Sequence, residues 1–288
     1  MQNVSHAPRA YISPDASRSV FRKMSRHLDK LADHAKAEDV HRFRTNSRRV
    51  EALIADLAPE SRNKRKLLKL LAKLRKRAGM VRDLDVQIAF LNQLTLPDRQ
   101  KHRGQLLAAL AEEHAQRSRK LAKSLTARRV RQLRKRLRRA QSEITLDGID
   151  PLRFAFRHLP NPDQNPLTEK TLHAYRVHAK HARYLAELAP DSNQARSLVA
   201  ELKRAQDEIG HWHDILKLSE RARELFGDVH DSALVSLLQN MSRATFRRAG
   251  KALLAAIEAV SPMRDGHRRT PPVRPAPEEV VRTQSAAA

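Results

Sequence analysis

The sequence contains no cysteine, which removes disulfides, iron–sulfur clusters, thiolate zinc sites and cysteine nucleophiles at once. Histidine and carboxylate chemistry remains. Glycine is nearly as scarce, seven residues in 288, and neither a G-x-G-x-x-G nor a G-x-x-x-x-G-K string occurs, so the loops that cradle nucleotide phosphates are not encoded. Aromatic residues amount to 4%, with a single tryptophan. No window holds eighteen consecutive apolar residues, and the start, MQNVSHAPRA, lacks the apolar stretch of a signal peptide, which points to a cytoplasmic protein without membrane spans. Positive charge is what abounds: 57 Lys and Arg stand against 32 Asp and Glu, a formal net charge of +25. A surface field of that size steers association rather than fold, and implies a polyanionic partner.

Abundant Leu, Ala, Arg, Lys and Glu, with apolar residues three and four apart, predict an all-α protein. The first twelve residues read as disordered, and Ser13-Pro14-Asp15 as the start of a helix through Phe21, Met24, Leu28 and Leu31. Pro151, Pro160, Pro162 and Pro166 mark a linker over about 147–167, separating a first half at 13–146 from a second at 168–261. The Pro- and Arg-containing tail at 262–288 is too polar to build a core and reads as disordered.

The two halves repeat each other at a shift of 132 residues, then 131. His41-x-x-Arg44 with Arg48 stands opposite His173-x-x-Arg176 with Lys180; Leu57-Ala58-Pro59-Glu60-Ser61 faces Leu188-Ala189-Pro190-Asp191-Ser192; Gly79 with Asp83 faces Gly210 with Asp214. Each half then predicts four helices: 38–57, 61–78, 80–94 and 98–141, then 168–188, 191–209, 211–226 and 230–260, with a break in the long basic segment near Ser124 to Ala127. Short connections imply antiparallel neighbours and hence two four-helix bundles. The paired glycines read as helix C-caps, and Asp83 and Asp214 as first-turn carboxylates that each receive an arginine.

At about 100° per residue, with His41 at 0°, Arg44 lies near −60°, Arg48 near −20° and Arg49 near 80°, opposite an apolar face of Phe43, Val50, Leu53 and Ile54. His173, Arg176, Lys180 and His181 repeat the arrangement, with Val177 and Tyr184 intruding on it. Any one basic residue is as well explained by a solvated helix face. Repetition at matching positions favours a site, because guanidinium forks and protonatable imidazoles suit phosphate oxygens. Two acid-free stretches, 62–82 and 117–139, add cations that a polyanion would neutralise.

H-R-F-R-T-N-S-R-R followed by G-M-V-R-D-L-D-V, then H-A-Y-R-V-H-A-K-H-A-R-Y followed by G-H-W-H-D, resembles the CHAD family, the conserved histidine α-helical domain, over roughly residues 14–261. The resemblance implies two four-helix bundles related by a pseudo-twofold axis around a basic central surface. It also implies binding of inorganic polyphosphate and association with polyphosphate granules. Carried over by position, the ligand-facing candidates are His41, Arg44, Arg48, Arg49, His173, Arg176, Lys180 and Arg183, with Lys76, Arg82, Lys203 and Arg204 behind them. The triphosphate-tunnel partner domain of such proteins would show an E-x-E-x-K string, and none occurs.

Three function classes compete. A non-catalytic polyphosphate binder, without cofactor or metal, explains the repeat and the charge together. A non-specific RNA- or DNA-binding protein is the alternative, and low-salt binding to nucleic acid is expected in either case. No set of aromatic residues suggests a base-stacking platform. An enzyme would need a phosphorylated His41 or His173, or a metal on His173, His178 and His181 or on His211, His213 and Asp214. Those histidines spread over different helix faces. Imidazolium formation should strengthen polyanion binding from pH 8 to pH 6.

Overall fold

The computed structural model describes residues 12, 14–95, 101–144, 146, 149–159 and 167–268. Among them stand nine helices and no strand: α1 (Pro14–Asp33), α2 (Ala37–Leu57), α3 (Arg62–Gln93), α4 (His102–Ala122), α5 (Ala127–Glu143), α6 (Pro151–His158), α7 (Glu169–Ala186), α8 (Asn193–Phe226) and α9 (Ala233–Arg268). The tail from 269 and the first eleven residues, both expected to be disordered, lie outside the described residues, as do Ser13, Pro97, Pro160, Pro162 and Pro166.

Local chemistry starts the helices where the repeat suggested. Ser61 and Ser192, each two residues past a proline, cap α3 and α8 by accepting from the backbone N–H of Lys64 and Ala195. Thr168 opens α7 with a reciprocal capping box to Thr171. The long basic segment does break near Ser124. The Ser124 hydroxyl donates to the Leu121 carbonyl at 2.6 Å, and Thr126 caps α5.

Five expectations fail. Gly79 and Gly210 end no helix: α3 and α8 run through them for 32 and 34 residues. A helical glycine costs only about 1 kcal/mol against alanine. Burying Leu67, Leu71, Val81, Leu84 and Leu91 along α3 outweighs that, at about 1.5–3 kcal/mol per large apolar side chain. Asp83 and Asp214 therefore sit inside long helices, away from any first turn. The linker contains α6, where Asp150 caps a helix with proline in its first turn and Leu152, Ala155 and Phe156 are buried one turn apart. Ile12, placed in a loose terminus, is 3% exposed and donates its N–H to the Ile149 carbonyl at 3.4 Å. Finally, α9 continues through Pro262 to Arg268, held by Met263 against the core and by Gln194 donating to the Met263 carbonyl.

α8 and α9 form a long hairpin, and Gly227 ends α8 at φ 78°, where a Cβ would come within 2.8 Å of the Asp231 carboxylate. α2 packs on α1 and α3, α7 on α6 and α8, and α2 and α7 pack on each other. The larger apolar cluster draws on α1, α2, α5, α6 and α7 with parts of α3, α8 and α9. A smaller one joins Leu84 and Leu91 of α3, Leu106 and Leu110 of α4, Leu218 of α8 and Leu238 of α9. Both clusters take residues from both halves, and the α2–α7 contact lies where the halves meet.

Candidate functional site

That contact brings the two basic faces together. Arg44 and Arg48 of α2 interact electrostatically with Arg176 and Lys180 of α7, and Arg75 of α3 joins them. Arg44 crosses α3 directly over Gly79, where any Cβ would collide with its guanidinium, and reaches Asp83 one turn on at 3.4 Å. Arg176 crosses α8 over Gly210 in the same way, 3.7 Å from where a Cβ would stand, and Asp214 is the charge that acts on it most. The glycines are crossing points, spaced four residues from the carboxylates so that glycine and acid share one stripe of the helix.

The cluster is crowded with like charge and partly withdrawn from water. Burial, with Arg176, Arg48 and Arg44 alongside, brings Lys180 down to about 6. Burial also brings Arg75 to about 10, with Arg48 and Arg44 adding to the effect. Arg44 and Arg176 are lowered chiefly by burial, against the pull of Asp83 and Asp214. Asp214 is raised by burial, and Asp83 adds to this while Arg176 and Lys180 oppose it. The Arg176 Nε is buried without a hydrogen-bond partner among the described residues. Partly desolvated cations facing one another are a standing electrostatic cost that a polyanion would relieve.

Burial and neighbouring cations disfavour the charged form of two histidines at the rim, His41 and His213. Burial lowers His41, and Arg82, Arg44 and Arg42 lower it further against Glu38. Burial with Arg176, His173, Lys217 and Lys180 takes His213 to about 4, its ring centroid 5.4 Å from that of His173.

Other sequence candidates are placed elsewhere. Arg49 donates to Glu187 at 2.7 Å across the junction, and Arg183 stands 3.7 Å from the same carboxylate. Both guanidinium groups lie over the Tyr184 ring, at 5.6 and 5.0 Å from its centroid. Arg49 thereby ties α2 to α7, and the apparent intrusion of Tyr184 into the basic face is this stacking. Lys203 and Arg204 are exposed beside Asp207 and Glu201 on their own helix. Lys76 lines a different feature, a groove of about 520 Å³ between α3, α4 and α5, with Lys73, Arg77, Arg117, Lys120, Lys123 and Arg129.

The acid-free stretches find some counter-charges in the tertiary structure. Arg134 donates to Asp29 of α1 at 2.8 Å, Arg75 pairs with Glu51, and the buried Lys64 donates to the Ala55 and Ala58 carbonyls at 2.9 Å. Trp212 and both Tyr175 and Tyr184 are buried, at 1%, 5% and 5% exposure, so they offer no base-stacking surface. Sequence reasoning did not single out Arg75, although it stands four residues before Gly79 on the stripe that carries Asp83. It also missed Asp56, to which His181 and His158 both turn.

A scan for protein families matches the CHAD domain over residues 16–223. The chain belongs to the CHAD domain family. The match ends three residues before the last residue of α8, leaving α9 beyond it. Among solved structures, a CHAD domain from the plant Ricinus communis aligns with a TM-score of 0.57 at 18% identity, over 93% of each chain. PptA from Streptomyces chartreusis aligns with a TM-score of 0.61 at 15% identity, over 88% of this CHAD protein and all of that chain. Likeness at such identity is likeness of fold. No match was found among curated proteins. No helix among the described residues of this CHAD protein is long and apolar enough to cross a membrane.

Proposed function

We propose that this CHAD protein is a non-catalytic binder of inorganic polyphosphate, held between α2, α3 and α7, and that it associates with polyphosphate granules or scaffolds other proteins on the polymer. The observation that carries this reading is the meeting of Arg44, Arg48, Arg75, Arg176 and Lys180 from three helices, with Glu51, Asp83 and Asp214 too few to neutralise them. A chain of phosphates offers closely spaced oxygens to such an array, and each guanidinium can take two of them. Arg82 and His41 extend the array at the α2 end, and His173 and His213 at the α7 end.

Competition of long-chain polyphosphate against single-stranded RNA and duplex DNA tests the reading, at about 0.15 M salt where exposed charges are screened beyond roughly 8 Å. The companion variant changes Arg44, Arg48, Arg176 and Lys180 to Ala. Polyphosphate should win, and the variant should lose most of that preference. Equal binding of nucleic acid with an unaffected variant would overturn the assignment.

A second reading, non-specific nucleic-acid binding, is favoured by the groove between α3, α4 and α5, whose seven cations lie outside the α2–α7 cluster. Such a surface grips any phosphate backbone in a salt-dependent way.

A further inference from the structure

We propose that Asp56, His158 and His181 form a binding site for a divalent transition-metal ion of the zinc class. The three residues come from three helices, α2, α6 and α7, and their ligand atoms all lie within 4.8 Å of one another. The His158 Nε2 stands 3.1 and 3.2 Å from the two Asp56 oxygens, and the His181 Nε2 stands 2.6 Å from one of them. The rings are tilted by 49° with centroids 4.0 Å apart, so both imidazoles bring the same nitrogen to one carboxylate.

Two imidazoles and a carboxylate are a zinc ligand set that leaves a position open. With metal–nitrogen and metal–oxygen bonds of about 2.0–2.2 Å, tetrahedral ligand atoms stand roughly 3.3–3.5 Å apart. The nitrogen–oxygen separations of 2.6, 3.1 and 3.2 Å fall just short of that spacing. A rotation of Asp56 off its hydrogen bonds would free its carboxylate to share a cation with the two histidine nitrogens. The side chains are 30%, 17% and 28% exposed for His158, Asp56 and His181, which holds their directions while leaving a face for water.

The charge setting separates this cluster from the other histidines. His41 lies beside Arg82, Arg44 and Arg42, and His213 beside Arg176, Lys217 and Lys180, where a metal cation would be repelled. The charges that act most on His158 are His181, Asp56 and His178, and those that act most on Asp56 are the two histidines. The three residues alone make up the cluster, so the remaining position of a tetrahedral ion would be left to water. This site requires nothing of the polyphosphate reading.

The test uses the full chain, stripped with a chelator, in phosphate-free buffer. Zn²⁺ is titrated calorimetrically, and Co²⁺ by the visible absorption of a tetrahedral complex. One equivalent should bind, with affinity at least tenfold weaker in each of Asp56→Asn, His158→Ala and His181→Ala, and within twofold of the parent in His173→Ala. Asp56→Asn keeps a hydrogen-bond acceptor for the histidines, and far-UV circular dichroism checks that each variant remains helical. Zn²⁺ should also raise the Tm of the parent and leave that of Asp56→Asn in place. Absence of a saturable equivalent in the parent would overturn the proposal. So would binding that survives the His158→Ala/His181→Ala double variant, which would make the cluster a hydrogen-bonded latch between helices.

Discussion

Alanine at the two crossing glycines should separate helix propensity from arginine seating, because the same substitution meets different space at each. Removing a helix-interior glycine gains about 1 kcal/mol, which for a protein of this size raises Tm by about 2–4 °C. At Gly210 the added Cβ would stand 3.7 and 3.9 Å from Arg176 atoms, ordinary contact, so Gly210→Ala should show the full gain. At Gly79 the Cβ would overlap the Arg44 guanidinium, which must leave its seat. The Arg44–Asp83 pair is then lost, and since Asp83 is 62% exposed that loss is at most about 1 kcal/mol. Gain and loss nearly cancel, and Gly79→Ala should leave Tm almost unchanged. Its polyphosphate affinity should fall about tenfold, equivalent to about 1.4 kcal/mol, because one guanidinium no longer faces the cluster. Adding Gly79→Ala to an Arg44→Ala background should restore the missing stabilisation, a coupling of about 1 kcal/mol. Thermal unfolding followed by circular dichroism and competition binding at fixed salt read both effects. If Gly79→Ala and Gly210→Ala raise Tm equally and bind polyphosphate equally, Arg44 is not seated on α3 and the reasoning fails.

Lys180 titrates near 6 in the folded protein, against 10.5 when unperturbed, so the unfolded chain holds the extra proton between those values. Its contribution therefore makes stability rise with pH from about 6 to about 10.5, and a polyanion that favours the charged amine should draw in a proton at pH 7.5. Calorimetry in buffers of different ionisation enthalpy should detect that uptake, and Lys180→Met should abolish it. With His41 and His213 both lowered, binding should strengthen from pH 8 to 6 mainly through Lys180, so a steep dependence retained in Lys180→Met would contradict the assignment. Arg48→Ala and Arg49→Ala should behave oppositely in binding and unfolding assays. The first should weaken polyphosphate binding while leaving stability level or higher, since it removes like-charge repulsion. The second should lower stability by about 1 kcal/mol through loss of the half-buried Glu187 pair and the Tyr184 stacking, with little change in affinity. Lys64→Ala should lower stability by about 1–3 kcal/mol, as it leaves the Ala58 carbonyl unpaired in a buried setting and removes the part-buried bond to the Ala55 carbonyl, and polyphosphate binding should not change.

Much of this was legible without coordinates wherever the governing physics is local. Ser61, Thr126, Thr168 and Ser192 cap helices because a side-chain oxygen and an N–H three residues on are all that a cap requires. The all-α class follows from periodicity, and the face shared by His41, Arg44 and Arg48 from helical geometry. Gly79 and Gly210 mark the limit of such reasoning. Locally a glycine before a polar turn reads as a helix end; only the side chain crossing above it, from residues 35 and 34 positions earlier, explains why no Cβ is wanted inside a continuous helix. The same limit applies to charge. Composition established that cations exceed anions, but not that Arg49, Arg134 and Lys64 are occupied by Glu187, Asp29 and backbone carbonyls, while Arg44, Arg48, Arg75, Arg176 and Lys180 converge. The histidines divide the same way, with His173 drawn to His213 and His181 to His158 and Asp56. Net charge and helical periodicity are sums and spacings along the chain, so the sequence determined them; which cation meets a carboxylate and which meets another cation depends on distances between helices, and only the packing of helices from both halves, α2 against α7 above all, decided those.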